Sequence, residues 1–213
     1  NQGWITRSSD GWKLSQGVKK PISLPITPKP VSKSILKERQ LKWEQGLSVR
    51  EKTTIRSYSS LNYKGIRDCL SKKIGCDKFL SDEIEILEKA LKRAPKTTDI
   101  TYRGLSFKSK EEEVEFITRL QRTSILKDKG FVSTSLSRDV AKDFTEDIAV
   151  EVTKRVAGRR GMLLEIEGKS GVNVVNLSDF PDELEVLFTP KTRFGLVSIG
   201  QERGMTVVRL REL

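Results

Sequence analysis

The stretch FPDELEVLF, residues 180–188, sets two acidic residues against an apolar run. The apolar part, from Leu184 to Phe188, is predicted to be a β-strand. Alternate side chains of a strand point to the same side, so Glu183 and Glu185 are expected to share one face. Neighbouring carboxylates repel and shift each other's protonation, which proteins accept on a solvated edge or in an active cleft. For an isolated Glu-x-Glu pair, the solvated edge is the simpler interpretation.

Two shorter polar motifs precede this stretch. Arg103 and Gly104 end a predicted strand, where a guanidinium followed by open backbone can approach a phosphate. Ser133, Thr134 and Ser135 lie in a later predicted strand, with the two serines on the same side. Each motif alone is also typical of ordinary surface positions, namely a solvated arginine or the polar residues of an edge strand.

Composition restricts the chemistry that these motifs can perform. The chain has 213 residues, no His and two Cys. Nucleophile systems of the Ser-His-Asp or Cys-His type and His-containing metal sites are therefore excluded. Cys69 and Cys76 cannot form a four-Cys cluster or a disulfide framework. Cys69 is expected to be a small buried residue, with a Cys69–Cys76 redox pair as the alternative. Catalysis must rest on carboxylates, hydroxyls, and Arg or Lys.

Helical patterns fill the first half of the folded region and strand patterns fill the second. Ser48 and Glu51 predict a capping box at the start of a helix, a second helix spans 61–74, and a third opens at Ser81 and stops at Pro95. Further helices are predicted at 111–120 and 138–144, and strands at 100–103, 131–134, 162–166, 172–175, 184–188, 194–199 and 205–210. This order indicates an α+β domain with an antiparallel or mixed sheet, not a Rossmann fold.

Residues 1–45 are predicted to be a basic, proline-containing arm or linker, and residues 46–213 a folded domain. The net charge of the chain is +11, and the arm carries 9 Lys and Arg against 3 Asp and Glu. Four of the seven prolines fall in segment 21–30, which favours extended backbone. Such an arm could touch nucleic acid or an acidic surface, and a solvated linker is the alternative.

The order of the three motifs is more specific than any one of them. Arg, then Ser-Thr-Ser, then aromatic-x-x-Glu-x-Glu resembles the Arg-Ser-Glu class of mono-ADP-ribosyltransferases, which includes binary-toxin catalytic domains, phage transferases and interbacterial effectors. The resemblance covers residues 47–213, where LNYKGIRDCL (61–70) looks like the first helices of the family. It implies an ADP-ribosyltransferase-like fold, with a helical N-terminal half packed on a two-sheet mixed or antiparallel β core.

The resemblance also implies roles in binding NAD, the expected substrate. Arg103 matches the arginine that holds NAD near its phosphates, with Gly104 beside it. Ser133 matches the serine that braces the NAD pocket and the catalytic glutamate. Thr134 and Ser135 complete that NAD-binding motif, and Glu185 matches the catalytic acid that binds the nicotinamide-ribose hydroxyl.

Three further residues receive roles around the acceptor and the pocket wall. Glu183 matches the position that is Glu in arginine-specific members. Phe180 matches the aromatic residue of the target-recognition turn, and Phe144 is expected to supply an aromatic wall to the NAD pocket.

The proposed chemistry suits these residue types. Loss of nicotinamide develops an oxocarbenium-like sugar, which the Glu185 carboxylate would stabilise. Glu183 would orient the incoming arginine, which stays protonated in water, and accept its proton. No metal is needed, because nicotinamide already leaves from a cationic ring. The predicted activity is thus NAD-dependent transfer of ADP-ribose to arginine.

Two alternatives remain open at the level of sequence. One keeps the enzyme and makes RNA or another nucleic acid the acceptor, which the basic arm motivates. The other is a non-catalytic binding or structural domain with this fold, such as part of a phage head protein. The primary expected partner is a target protein with an accessible arginine. Nucleic acid, an immunity or inhibitor protein and a larger delivery polypeptide are open as others.

The expected location follows from the absence of targeting signals. No membrane-spanning apolar stretch or signal-peptide pattern is present, so the chain is expected to be soluble. Residue 1 is Asn rather than Met, which indicates a fragment or processed product of a longer protein. We expect a delivered or secreted effector, or a phage protein injected with DNA, that acts in the cytoplasm of a target cell.

Overall fold

The computed structural model describes residues 6–8, 11–13, 33–146 and 160–213. The prolines of segment 21–30 lie outside these residues. Helices precede most strands, as the sequence predicts. The helices are α1 (Lys33–Gly46), α2 (Val49–Ser57), α3 (Tyr63–Leu70), α4 (Lys78–Arg93), α5 (Lys110–Thr123) and α6 (Arg138–Glu146). The strands are β1 (Thr6–Ser8), β2 (Gly11–Lys13), β3 (Ile100–Phe107), β4 (Ile125–Lys127), β5 (Val132–Ser135), β6 (Arg160–Glu167), β7 (Val172–Asn173), β8 (Glu185–Phe188), β9 (Arg193–Glu202) and β10 (Met205–Glu212).

Local capping residues set the starts of α2 and α4. The predicted capping box is present: the Ser48 hydroxyl accepts from the Glu51 N–H at 3.2 Å, and the Glu51 carboxylate accepts from the Ser48 N–H at 2.9 Å. Helix α4 begins at Lys78, earlier than the predicted start at Ser81, because Asp77 caps it by accepting from the Leu80 N–H at 2.8 Å.

A π-helical segment, Tyr58–Asn62, joins α2 to α3 without a break in the helical path. Helix α3 then carries Ile66 and Cys69 into the core. Cys69 is buried, as expected, and it is disulfide-bonded to Cys76. The sequence favoured an unpaired Cys69 and gave this pair only as the alternative, so that expectation is corrected. The bond closes the short loop between α3 and α4.

Helix α1 lies in the stretch that the sequence assigned to the basic arm. Its Trp43 is 8% exposed and packs in the same core cluster as Ala90 and Leu91 of α4. The Trp43 indole N–H donates to the Ala90 carbonyl at 3.2 Å. Helix α1 is therefore packed on the folded body, and the arm stays a prediction for the residues before Lys33.

The main sheet has eight strands in the order β4-β9-β10-β6-β3-β5-β8-β7. Strands β10 and β6 are parallel and the other neighbours are antiparallel, which confirms the predicted α+β class with a mixed sheet. Strands β3 and β5 meet at one residue pair, Tyr102 with Ser135. This junction divides the sheet into a five-stranded and a three-stranded part, which correspond to the two sheets expected from the resemblance. Strands β1 and β2 pair with each other.

Strand β8 is buried on both faces. Leu187 packs in a cluster with Ile55, Tyr58 and Phe131, below α2. Val186 and Phe188 point to the other face and pack in a second cluster, which includes residues of β6, β9 and β10. Side chains alternate along a strand, so Glu185 lies on the same face as Leu187 and is directed towards the helical layer.

No helix within the described ranges has the length and apolar character that crossing a bilayer requires.

Candidate active site

A tight turn precedes β8 and separates the two glutamates. Pro181–Glu183 forms one turn of 3-10 helix, and Leu184 follows in the left-handed conformation with φ 51° and ψ 46°. Strand β8 starts at Glu185, one residue after the predicted start at Leu184. Glu183 therefore lies in the turn and not in the strand, and the expectation of a shared strand face for both glutamates was wrong. A left-handed residue interrupts the two-residue alternation of side chains.

The Glu185 carboxylate is buried and receives two hydroxyl hydrogen bonds. Its side chain is 5% exposed. Ser133 of β5 donates to Oε1 at 2.6 Å, and Ser59 of the π-helical segment donates to Oε2 at 2.5 Å. Burial raises the pKa of Glu185, and the hydrogen bonds from Ser133 and Ser59 oppose that rise. The site thus holds a carboxylate in a dry environment with one donor on each oxygen.

Glu183 lies close enough to Glu185 to interact with its charge. Burial raises the pKa of Glu183, and the negative charge of Glu185 raises it further. The two carboxyl groups differ in surroundings, because Glu183 is half-buried in the turn while Glu185 is buried in the strand. This arrangement places the carboxyl group of Glu183, a weaker acid than an exposed glutamate, beside the more deeply buried carboxyl group of Glu185.

The rest of the Ser-Thr-Ser motif holds the backbone around the glutamates. The Thr134 hydroxyl donates to the Val186 carbonyl at 2.8 Å, and the Ser135 hydroxyl donates to the Glu183 carbonyl at 2.7 Å. The Leu136 N–H also donates to the Leu184 carbonyl at 3.0 Å. These contacts anchor the left-handed turn to β5. The role of Thr134 and Ser135 in binding NAD stays a prediction.

Arg103 contributes a partly buried positive charge to the same region. Its side chain is 16% exposed, and one guanidinium nitrogen lies 3.9 Å from the Asp128 carboxylate. Arg67 of α3 lies 3.8 Å from the same oxygen. Burial lowers the pKa of Arg103 and the Asp128 charge opposes that change. A separation of 3.9 Å is longer than a hydrogen bond, so the guanidinium keeps donors available for an anionic ligand.

Tyr58 interacts electrostatically with both the Glu185 carboxylate and the Arg103 guanidinium. Burial raises the pKa of its hydroxyl, the charge of Glu185 raises it further, and the charge of Arg103 opposes the rise. Tyr58 therefore lies within electrostatic reach of both predicted site residues. The structure thus brings Arg103, Ser133, Glu183 and Glu185 into one region.

The other predicted site residues have different surroundings. A side chain on Gly104 would place its Cβ 2.1 Å from the Ala141 carbonyl oxygen, so the close packing of α6 on β3 requires glycine there. Phe144 of α6 is 40% exposed and Phe180, just before the turn, is 48% exposed. The NAD-pocket roles of Gly104 and Phe144 and the target-recognition role of Phe180 stay predictions.

Sequence reasoning missed Ser59, Tyr58, Asp128 and Arg67. Ser59 and Tyr58 belong to the π-helical segment, which has no apolar period of its own to identify it. Asp128 lies in the loop before β5, where a single acid carries no pattern. The one available signal for these residues was the resemblance of segment 61–70 to the first helices of the family, because that segment adjoins the π-helical residues.

A helical layer over a split mixed sheet is the arrangement that the sequence resemblance predicted for ADP-ribosyltransferases, and the structure adds that Glu185 is buried next to the point where the two parts of the sheet meet. The family model described as ADP-ribosyltransferase exoenzyme matches residues 34–211. The chain therefore belongs to the ADP-ribosyltransferase exoenzyme family, which confirms the resemblance drawn from the three motifs.

Individual relatives agree with this membership. The putative NAD(+)–arginine ADP-ribosyltransferase Vis of Vibrio splendidus (strain 12B01) is 24% identical over 172 residues, which cover 76% of this chain. The chain spans 64% of the length of that curated relative.

Solved structures share the fold. Vis in complex with agmatine has a TM-score of 0.62 at 21% identity, over 87% of this chain and 88% of that one. The transferase HopU1 of Pseudomonas syringae pv. Tomato DC3000 has a TM-score of 0.66 at 17% identity, over 85% and 83%. The toxin Plx2a of Paenibacillus larvae has a TM-score of 0.59 at 24% identity, over 85% and 94%.

Proposed function

We propose that this protein is a mono-ADP-ribosyltransferase that cleaves NAD and transfers ADP-ribose to an arginine of a target protein. The observation that carries the proposal is the buried Glu185 carboxylate with one serine donor on each oxygen. A carboxylate held in this way can stabilise a positive charge that develops beside it, because a dry and fixed environment strengthens the interaction.

The bond that breaks is the glycosidic bond between nicotinamide and the ribose of NAD. Nicotinamide leaves with the electron pair, and the ribose carbon acquires oxocarbenium character. Glu185 stabilises that charge and accepts a hydrogen bond from the ribose hydroxyl. Arg103 binds the NAD phosphates through its guanidinium, whose ion pair with Asp128 is loose.

The acceptor step is assigned to Glu183. A guanidinium nitrogen attacks the ribose carbon, a carbon–nitrogen bond forms, and the proton passes to Glu183. Burial and the Glu185 charge raise the pKa of Glu183, which makes this carboxylate a better proton acceptor than an exposed one. The relative Vis carries arginine in its name, and it has been solved with agmatine, a small guanidine compound. These two facts support arginine over other acceptors.

A role as an effector or toxin suits this activity. The structural relatives Vis and Plx2a are both described as toxins, and exoenzyme S of Pseudomonas aeruginosa has been solved in complex with human 14-3-3 protein beta. We propose that this chain likewise acts on proteins of a target cell, in its cytoplasm. Its target protein bears an accessible arginine.

Product analysis with defined acceptors tests the proposal. The protein is incubated with labelled NAD and, in separate reactions, agmatine, cell protein or RNA. We expect ADP-ribosyl-agmatine and labelled protein, with no labelled product from Glu185→Gln. Label in RNA alone would make nucleic acid the acceptor. No loss of NAD with any acceptor would show that the chain is a non-catalytic domain.

A further inference from the structure

The hydroxyl of Ser59 contacts the Glu185 oxygen that Ser133 does not reach. Ser133 donates to Oε1 at 2.6 Å and Ser59 donates to Oε2 at 2.5 Å. We infer that Ser59 is a positioning residue, which fixes the orientation of the Glu185 carboxylate from the helical side of the site. The inference rests on the proposed function, because the orientation matters only if Glu185 acts on a substrate.

Two hydrogen-bond donors, one on each oxygen, hold the plane of a carboxylate in one orientation, whereas a single donor does not. The last torsion of a glutamate side chain has a broad energy profile, so a single hydrogen bond leaves the carboxylate plane free to turn. A donor on each oxygen removes that freedom. Each oxygen of an ionised carboxylate accepts more than one hydrogen bond, so both retain capacity for a ligand hydroxyl.

The π-helical segment delivers Ser59 to this place. Tyr58, the first residue of the segment, is buried, and its ring packs edge-on against Phe131 with centroids 5.3 Å apart. Phe131 lies two residues before Ser133 on the same chain segment. The aromatic contact therefore fixes the helix against β5, and the next residue, Ser59, faces Glu185. Widened helical turns of this kind are frequent at functional sites.

The Ser59 hydroxyl also affects the protonation of Glu185. Burial raises the pKa of this carboxyl group, and the hydrogen bonds from Ser133 and Ser59 lower it. Other titratable groups that face the site are Glu183 in the turn and Tyr58 in the π-helical segment, with Arg103, Asp128 and Arg67 beyond Tyr58. Loss of the Ser59 hydroxyl leaves these groups in place and removes one hydrogen bond that favours the ionised form of Glu185. The pKa of Glu185 should then rise.

Three substitutions separate positioning from packing. Ser59→Ala removes the hydrogen-bond donor, whereas Ser59→Thr keeps a hydroxyl on Cβ. Ser60→Ala is the matched control, because Ser60 is in the same segment and its hydroxyl donates to the Arg56 carbonyl at 3.1 Å within the helix. A loss of helical stability alone would affect both alanine variants.

The decisive measurement is the titration of Glu185 itself, by carboxyl carbon NMR on glutamate-labelled protein, with Glu185→Gln to assign the signal. We expect Ser59→Ala to raise the pKa of Glu185 by about one unit, and Ser59→Thr and Ser60→Ala to match the parent protein. An unchanged titration in Ser59→Ala, or an equal rise in Ser60→Ala, would overturn the inference.

Kinetics of NAD hydrolysis provide the second readout. In Ser59→Ala, the fall of kcat on the acidic side of the pH profile should begin at higher pH. In that acidic range kcat should be about ten-fold lower than in the parent protein, with little change in KM for NAD. Ser59→Thr should restore the parent profile. If the parent protein neither hydrolyses NAD nor transfers ADP-ribose to agmatine, the proposed function fails, and the NMR titration still decides whether Ser59 controls Glu185.

Discussion

Two glutamates two residues apart have different surroundings in this protein. Glu185 is 5% exposed at the start of a buried strand, whereas Glu183 is half-buried in a 3-10 turn. The left-handed Leu184 between them turns the chain, so the carboxyl groups do not share a strand face. Different surroundings suit the two carboxyl groups to the different steps proposed for them, one at the ribose and one at the acceptor.

Acid-to-amide substitutions separate these two steps. We expect Glu183→Gln to lower transfer to agmatine by about 10²-fold or more while NAD hydrolysis continues, because only the proton acceptor for arginine is lost. Glu185→Gln should abolish both transfer and NAD hydrolysis, because the charge that stabilises the ribose is lost. Chromatography of nicotinamide and ADP-ribosyl-agmatine measures both.

Asp182→Asn is the matched control for these variants. Asp182 is the exposed acidic neighbour in the same turn, and the substitution makes the same change of charge. We expect it to leave both activities within about two-fold of the parent protein. Full transferase activity in Glu185→Gln would refute the assignment of the site.

Patterns that depend on neighbouring residues are predicted well from this sequence. The capping box at Ser48 and Glu51 is a local signal, and the structure contains both of its hydrogen bonds. Alternating or apolar runs likewise locate β6, β9 and β10, although β6 and β9 extend beyond both predicted ends and β10 extends beyond its predicted C-terminal end. The order of the Arg, Ser-Thr-Ser and Glu-x-Glu motifs points to the region where Ser133 binds Glu185.

Features that depend on distant contacts are not predictable in this way. The left-handed Leu184 is held by a hydrogen bond from Leu136, which lies 48 residues earlier in the chain. The position of Ser59 depends on the contact of Tyr58 with Phe131. Helix α1 is mostly polar and buries little more than Trp43, so its sequence gives no strong amphipathic pattern.

The packing of α6 on β3 gives a test at the level of elements. Gly104→Ala should lower the free energy of unfolding by about 1–3 kcal/mol, because the new Cβ would lie 2.1 Å from the Ala141 backbone. Gly200→Ala in β9 is the matched control, since nothing lies within 4 Å of its Cβ position. We expect it to leave stability unchanged or raise it by up to about 1 kcal/mol. Denaturant unfolding measures both.

The same pair of variants distinguishes two explanations of Gly104. If glycine were needed there only for the approach of NAD, Gly104→Ala would keep the parent stability and raise KM for NAD. That result would contradict the packing explanation and favour the role expected from sequence.

At the scale of the whole molecule, α1 packs on the helical layer through one large side chain. Trp43→Ala should lower the free energy of unfolding by about 3–5 kcal/mol, because it leaves a cavity and removes the hydrogen bond to Ala90. Leu41→Ala on the same helix should change it by less than about 0.5 kcal/mol, since Leu41 is 53% exposed. Equal effects of the two substitutions would mean that α1 contributes no specific packing.

The single residue pair between β3 and β5 has a consequence for how the molecule meets its substrate. If the antiparallel ladder continued past Tyr102 and Ser135, Gly104 would lie opposite Ser133. The strands part instead, and Arg103 and Ser133 border the gap. The gap is therefore a discontinuity in main-chain pairing between the two parts of the sheet. Because both strands that border the gap are held in the main-chain ladders of the sheet, we expect substrate binding there to require little rearrangement of the backbone.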